Sequence, residues 1–127
     1  MIKMKKLLTL LFSILISFNS YGEWSLVVTS TGGIEYHVDL DRISKKNGYI
    51  YYWALRNYPK PRFVTASSTK LLYEVDCTTP SKERRLAYYS YRSAMGNGPV
   101  NIEQIKTLDW EYAPPGSIRD IIFEEVC

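Results

Sequence analysis

The chain has 127 residues, with 16 lysines and arginines against 13 aspartates and glutamates, one histidine and two cysteines. That length holds one domain with a modest core. One histidine and two cysteines are too few for the Cys/His ligand sets of a structural zinc module.

Residues 1–22 read as a secretory signal peptide. Lys3, Lys5 and Lys6 form a basic start, Leu7 to Phe18 an apolar run, and Ser20 and Gly22 the small residues that signal peptidase requires before Glu23. The apolar run is shorter than the ~20 residues of a membrane span, so cleavage and export are expected rather than an anchor. No cysteine stands directly after the run, where Asn19-Ser20-Tyr21-Gly22-Glu23 follow, so a lipid anchor is not expected either. Three of the 16 basic residues and none of the acidic ones precede Glu23, so residues 23–127 carry 13 of each. A net charge of zero gives no electrostatic case for nucleic acid or a membrane surface.

Trp24 to Thr31 is rich in β-branched residues and reads as a strand. Gly32-Gly33 turns it into a second strand, in which Ile34, Tyr36, Val38 and Leu40 alternate with Glu35, His37 and Asp39. The face carrying His37 is expected to be wet. Asp41 to Lys46 reads as a helical turn and Asn47-Gly48 as a tight turn. Tyr49 to Tyr58 is apolar or aromatic on both faces, as in a central strand covered on both sides. Pro59-Lys60-Pro61 ends it. Ser67 to Cys77 is a strand with Leu71, Tyr73, Val75 and Cys77 on one face, and Lys82 to Ser93 runs back beside it. Val100 to Thr107 allows a short last strand. Ser117 then caps a helix in which Ile118, Ile121, Ile122 and Val126 form one stripe, with Asp120 at the capping-box offset.

In an exported chain two cysteines pair with each other. A Cys77–Cys127 bond would press this helix onto the face with Leu71, Tyr73 and Val75. The fold class expected is therefore α+β: an antiparallel sheet of five to six strands, a C-terminal helix packed on one face, and one disulfide. Residues 23–127 are its single domain.

Catalysis finds little here. There is no Gly-x-Ser-x-Gly elbow, no free thiol is expected, and Gly96-x-Gly98 lacks the third glycine and following helix of a phosphate loop. His37 has Glu35, Asp39 and Asp41 near it but no second imidazole or cysteine to complete a transition-metal site. No cofactor and no metal are expected. Among the eleven tyrosines, Tyr36, Tyr49 and Tyr73 occupy positions expected to face inward. Tyr88, Tyr89 and Tyr91 instead alternate along a strand with Lys82, Arg84, Arg85 and Arg92. Tyrosine and arginine together are common anchors of protein interfaces, and equally of cross-strand packing. The candidate partner-binding residues are Lys82, Arg84, Arg85, Tyr88 and Arg92, with Lys60 and Arg62 in the neighbouring loop.

The order of motifs resembles the surface-adhesin protein E family. The matching pieces are Tyr36-His-Val-Asp39, Asn47-Gly48 leading to Tyr52-Trp53, Leu72-Tyr73-Glu74-Val75-Asp76-Cys77, Arg84-Arg85-Leu86, Tyr88-Tyr89-Ser90, Met95-Gly96-Asn97-Gly98, Trp110, and Pro115-Gly116-Ser117 running to Val126-Cys127. The resemblance implies a disulfide-tied antiparallel sheet with a C-terminal helix. It also implies a non-enzymatic surface role in adhesion to host extracellular-matrix proteins. An exported protein at the cell surface or in the periplasm is expected, with a protein partner and with edge strands that could pair in a homodimer. The alternative is a periplasmic small-molecule or haem-binding protein using His37 or a tyrosine.

Overall fold

A computed structural model describes residues 24–60 and 66–127; the signal-peptide assignment to residues 1–22 and the candidate Arg62 lie outside them. Eight strands form one antiparallel sheet: β1 (Ser25–Thr29), β2 (Glu35–Val38), β3 (Ser44–Lys46), β4 (Tyr49–Asn57), β5 (Ser68–Asp76), β6 (Lys82–Tyr91), β7 (Ile102–Ile105) and β8 (Glu111–Tyr112). Six lie in the order β1-β2-β4-β5-β6-β7, while β3 pairs with β4 and β8 with β6. One helix, α1 (Ile118–Val126), ends the chain. This is the α+β architecture expected from the sequence.

The turns follow from local chemistry. Gly33, at φ +86°, donates its N–H to the Ser30 carbonyl (2.9 Å) and closes the β1–β2 hairpin. Asn47 and Gly48 both have positive φ, which the two-residue β3–β4 turn between Lys46 and Tyr49 requires. The polar stretch before it divides into a 3-10 turn (Leu40–Arg42) and β3, rather than forming a helical turn to Lys46. The ambiguous tail beyond Val100 yields two strand pieces, β7 and β8, both laid on β6.

The helix starts where the capping residues predict. Ser117 Oγ accepts from the Asp120 N–H (3.1 Å) and the Asp120 carboxylate accepts from the Gly116 N–H (2.9 Å). Such a cap contributes about 1 kcal/mol. Ile122, Phe123 and Val126 are buried against Val38, Tyr52, Ala54, Leu71, Tyr73 and Val75. Each buried apolar side chain of this size contributes about 1.5–3 kcal/mol. Cys77, just past β5, bonds Cys127, just past α1, with 5.8 Å between their Cα atoms. The helix therefore covers the sheet face that the disulfide selects.

Only one face is covered in this way. β4 is central and its odd-numbered residues Tyr49, Tyr51, Trp53, Leu55 and Asn57 point away from the helix. The expectation that both faces of this strand are fully covered holds at Leu55, which is buried, and fails at Tyr51 and Trp53, which are half-exposed.

The disulfide spans 50 residues, and constraining a loop of that length stabilises the fold by up to about 4 kcal/mol. Replacing Cys77 and Cys127 together by serine should lower the unfolding free energy toward that amount. Chemical denaturation measured by circular dichroism checks this, and an unchanged midpoint would show that packing alone seats α1.

Candidate partner-binding surface

The sheet face opposite α1 is built from alternate residues of β4, β5 and β6. Its register sets Tyr51 beside Glu74 and Arg84, Trp53 beside Leu72 and Ala87, and Leu55 beside Lys70 and Tyr89. A β-bulge lies between these groups. Tyr73 pairs with Arg85 while its neighbour Leu72 pairs with Ala87, so Leu86 is the extra residue on β6. The bulge resets the alternation of β6. Arg84 lies on the helix-free face and its neighbour Arg85 on the helix side; beyond the bulge Tyr88 is on the helix side as well.

At one end of the helix-free face lies an aromatic–cation cluster around Trp110. The Arg84 guanidinium stacks 4.5 Å from the Trp110 ring centroid, the Lys82 ammonium is 5.1 Å away, and the Tyr49 ring is 5.6 Å away. Arg84 Nε also donates to the buried Glu74 carboxylate (2.5 Å), which takes a second hydrogen bond from the Tyr51 hydroxyl. A buried carboxylate with both partners satisfied is stable, and one left without its arginine is costly.

At the other end the Ala94–Gly96 turn folds onto the face. Met95 N–H donates to Asn57 Oδ1 (2.9 Å), Gly96 N–H donates to Ser68 Oγ (2.8 Å), and Ser68 Oγ donates to the Ser93 carbonyl (2.7 Å). Asn57 in turn donates to Glu35 Oε1 (3.2 Å), which also meets His37 Nε2 (3.2 Å). Gly96 is at φ +65°, and a Cβ there would come within 2.4 Å of Lys70 Cε. The close approach holds the Lys70 ammonium near two rings, 5.0 Å from Tyr91 and 5.9 Å from Trp24. An open groove of about 280 Å³ runs over this face, lined by Trp24, Trp53, Lys70, Tyr89, Tyr91 and Val100, with Asp39 and Arg42 also in its lining. Trp53 and Tyr89 touch across it, 5.9 Å between centroids.

The three tryptophans of the chain, Trp24, Trp53 and Trp110, thus all lie on the helix-free face, and all are half-buried. Of the candidate residues read from the sequence, Lys82 and Arg84 belong to this face. Arg85 and Tyr88 are on the helix side. Arg92 is exposed past the end of β6, and Lys60 is exposed at the β4–β5 turn. They do not form one patch. Tyr36 and Tyr73 pack with the helix-side core as expected, but Tyr49 packs at a tilt against Trp110 instead. Sequence reasoning missed Lys70 and all three tryptophans. Only Trp53 carried a usable signal, its alternation with Tyr49 and Tyr51.

His37 is not on a wet face. It is 7% exposed and Asp39 is 8% exposed, because β1 pairs outside β2 and leaves His37 between Leu26 and Leu55. Among the described residues no group of three His, Cys, Asp or Glu side chains could hold a metal ion.

A family comparison decides the relationship: the family described as Surface-adhesin protein E matches residues 24–127. The chain belongs to the surface-adhesin protein E family. Searches of curated proteins and of solved structures found no match. Among the described residues no helix is long and apolar enough to cross a membrane.

Three carboxylates in this framework are perturbed in opposite senses. Burial pushes Glu83 up, against the hydrogen bonds from Tyr52 and Arg119. The His37 and Asn57 side chains hold Glu35 down, and the Thr78 hydroxyl and N–H hold Asp76 down. Carbon-detected NMR titration should place Glu83 above the ordinary carboxylate range and Glu35 and Asp76 below it. The linked stability has matching signs. The Glu35 and Asp76 contributions are lost as pH falls through their folded values. The Glu83 contribution is present in acid and is lost as pH rises through its folded value.

Proposed function

We propose that this protein is an exported, non-enzymatic binding domain that acts as a surface adhesin, taking a host extracellular-matrix protein on its helix-free face. One observation carries the reading: every tryptophan of the chain lies half-buried on the one sheet face that α1 leaves uncovered, interleaved with Lys70, Lys82 and Arg84. Half-buried Trp, Tyr and Arg are the residues that dominate protein–protein affinity, because they offer large rigid area and directional donors. Membership of the surface-adhesin protein E family supports the same reading.

The haem alternative needs an open ligand position. His37 offers none on Nε2, which meets Glu35, and its Nδ1 is buried without a partner.

Arg84 and Arg85 are poor joint probes of binding. Reversing the charge at Arg84 leaves the buried Glu74 beside a second carboxylate, so Arg84→Glu should destabilise the fold by several kcal/mol. Trp53→Ala is the cleaner test. Truncating an interface anchor costs about 2 kcal/mol or more, so Trp53→Ala should weaken capture of immobilised matrix proteins at least tenfold. Tyr88→Ala, on the helix side, should leave capture unchanged. Circular dichroism verifies that both variants fold. Equal capture by Trp53→Ala and the wild type would remove the assignment of this face. Protection of the native protein from protease on intact cells would remove surface display.

A further inference from the structure

A second polar cavity lies on the other side of the sheet, beside the start of α1. It is about 170 Å³ and is lined by Arg56, Tyr73, Glu83, Arg85, Asp109 and Arg119 among others. Its charges do not all pair. Glu83 is committed at both oxygens: Oε1 accepts from Arg119 Nε (2.8 Å) and Oε2 from the Tyr52 hydroxyl (2.8 Å). Arg119 is equally committed, since its remaining nitrogens reach Glu111 (2.6 Å) and the Tyr112 carbonyl (3.2 Å). This Glu111–Arg119–Glu83–Tyr52 chain is complete in itself.

Arg56 and Arg85 are outside it. Among the described residues neither guanidinium has a carboxylate within 4.0 Å. Arg56 Nη2 donates to the Tyr73 hydroxyl (3.1 Å) and the group lies over the Tyr36 ring, 5.5 Å from its centroid. Arg85 Nη2 donates to Gln104 (3.3 Å) and the group lies over Tyr88, 5.0 Å away. A guanidinium carries five N–H donors in a planar fork, so most of the donors on both groups have no partner among the described residues. Asp109, the remaining carboxylate of the lining, is exposed and makes no ion pair with either. The Tyr73 hydroxyl accepts from Arg56, which leaves its own proton to donate.

We propose that this cavity binds a small oxyanion, a phosphate or a carboxylate group, held between the Arg56 and Arg85 guanidinia and the Tyr73 hydroxyl. Paired guanidinium forks suit such groups because each can donate two parallel hydrogen bonds to neighbouring oxygens. Half-burial of Arg56 strengthens the attraction by keeping water from screening it. The committed state of Glu83 matters equally, since its two oxygens are taken by Arg119 and Tyr52 and neither accepts from Arg56 or Arg85.

The test follows the arginine Nε–H signals of the full domain by NMR during separate titrations with sodium phosphate and sodium acetate, at constant ionic strength made up with chloride. Saturable shifts at Arg56 and Arg85 with phosphate alone identify a tetrahedral anion; equal saturation with acetate identifies a carboxylate as a sufficient ligand. Arg85→Gln should weaken either titration about tenfold, the worth of one charge-assisted hydrogen-bond set. Arg92→Gln, remote from the cavity, should not. Arg56→Lys, which keeps the charge and loses the fork, should also weaken it. No saturable shift with either salt, or unchanged affinity in both Arg85→Gln and Arg56→Lys, overturns the proposal. Neither result depends on the helix-free face, so the two assignments stand or fall separately.

Discussion

Cys77 closes β5 and Cys127 closes α1, so the bond between them settles which face of the sheet α1 covers. The helix is nine residues long, about 14 Å at 1.5 Å per residue, and it cannot shield both faces of a six-strand path. Ile122, Phe123 and Val126 give it one apolar stripe, matched by Val38, Ala54, Leu71 and Val75 beneath it. The other face must be made tolerable to water by other means, and those means are what give it the character of a binding surface.

The two faces solve one problem in parallel. Tyr51 and Tyr52 are consecutive on β4 and therefore point to opposite faces. Each donates its hydroxyl to a buried glutamate, Tyr51 to Glu74 and Tyr52 to Glu83. Each glutamate also meets one arginine, Arg84 for Glu74 and Arg119 for Glu83. The arginines differ in what they reach next. Arg119 comes from the helix and goes on to Glu111, joining α1 to β8. Arg84 comes from the sheet and stacks on Trp110, an aromatic ring half open to solvent. Burying a carboxylate on the helix side thus ties down a helix, while burying one on the bare side orients an exposed aromatic–cation cluster.

Much of this was legible in the sequence because it rests on local rules. The Gly32-Gly33 and Asn47-Gly48 turns, the Ser117 cap, the alternation in β2 and β5 and the pairing of two cysteines are each set by a few adjacent residues. The errors share another origin. Alternation along Lys82 to Tyr91 assumes an unbroken period of two, which would put Tyr88 on the face of Arg84; the single extra residue Leu86 resets it, so Tyr88 joins Arg85 on the opposite face. His37 reads as wet because its strand alternates, but a strand flanked on both sides, with Leu26 on one neighbour and Leu55 on the other, leaves it little water. Trp110 belongs to no periodic segment, and Trp24, read as the first residue of a strand, lies just before β1. Both reach the face from outside the strands, and the register that aims them there is set by long-range pairing rather than by their neighbours in sequence.

The sheet edges narrow what remains available for recognition. β1 is bulged at Val27, and a bulge twists an edge away from a flat partner. β7 is four residues long with Glu103 between its isoleucines, so it offers few ladder bonds, although Ile105 is 72% exposed. On β7 the two isoleucines divide between the faces, Ile105 beside Ala87 on the helix-free side and Ile102 beside Ser90 on the other. Ile105 therefore extends the row that begins at Trp53 and passes through Leu72 and Ala87. The bare face is continuous from the central strand to the edge, apolar along its middle and cationic at both ends. A partner laid across that row would cover the half-buried tryptophans without adding a strand to either edge.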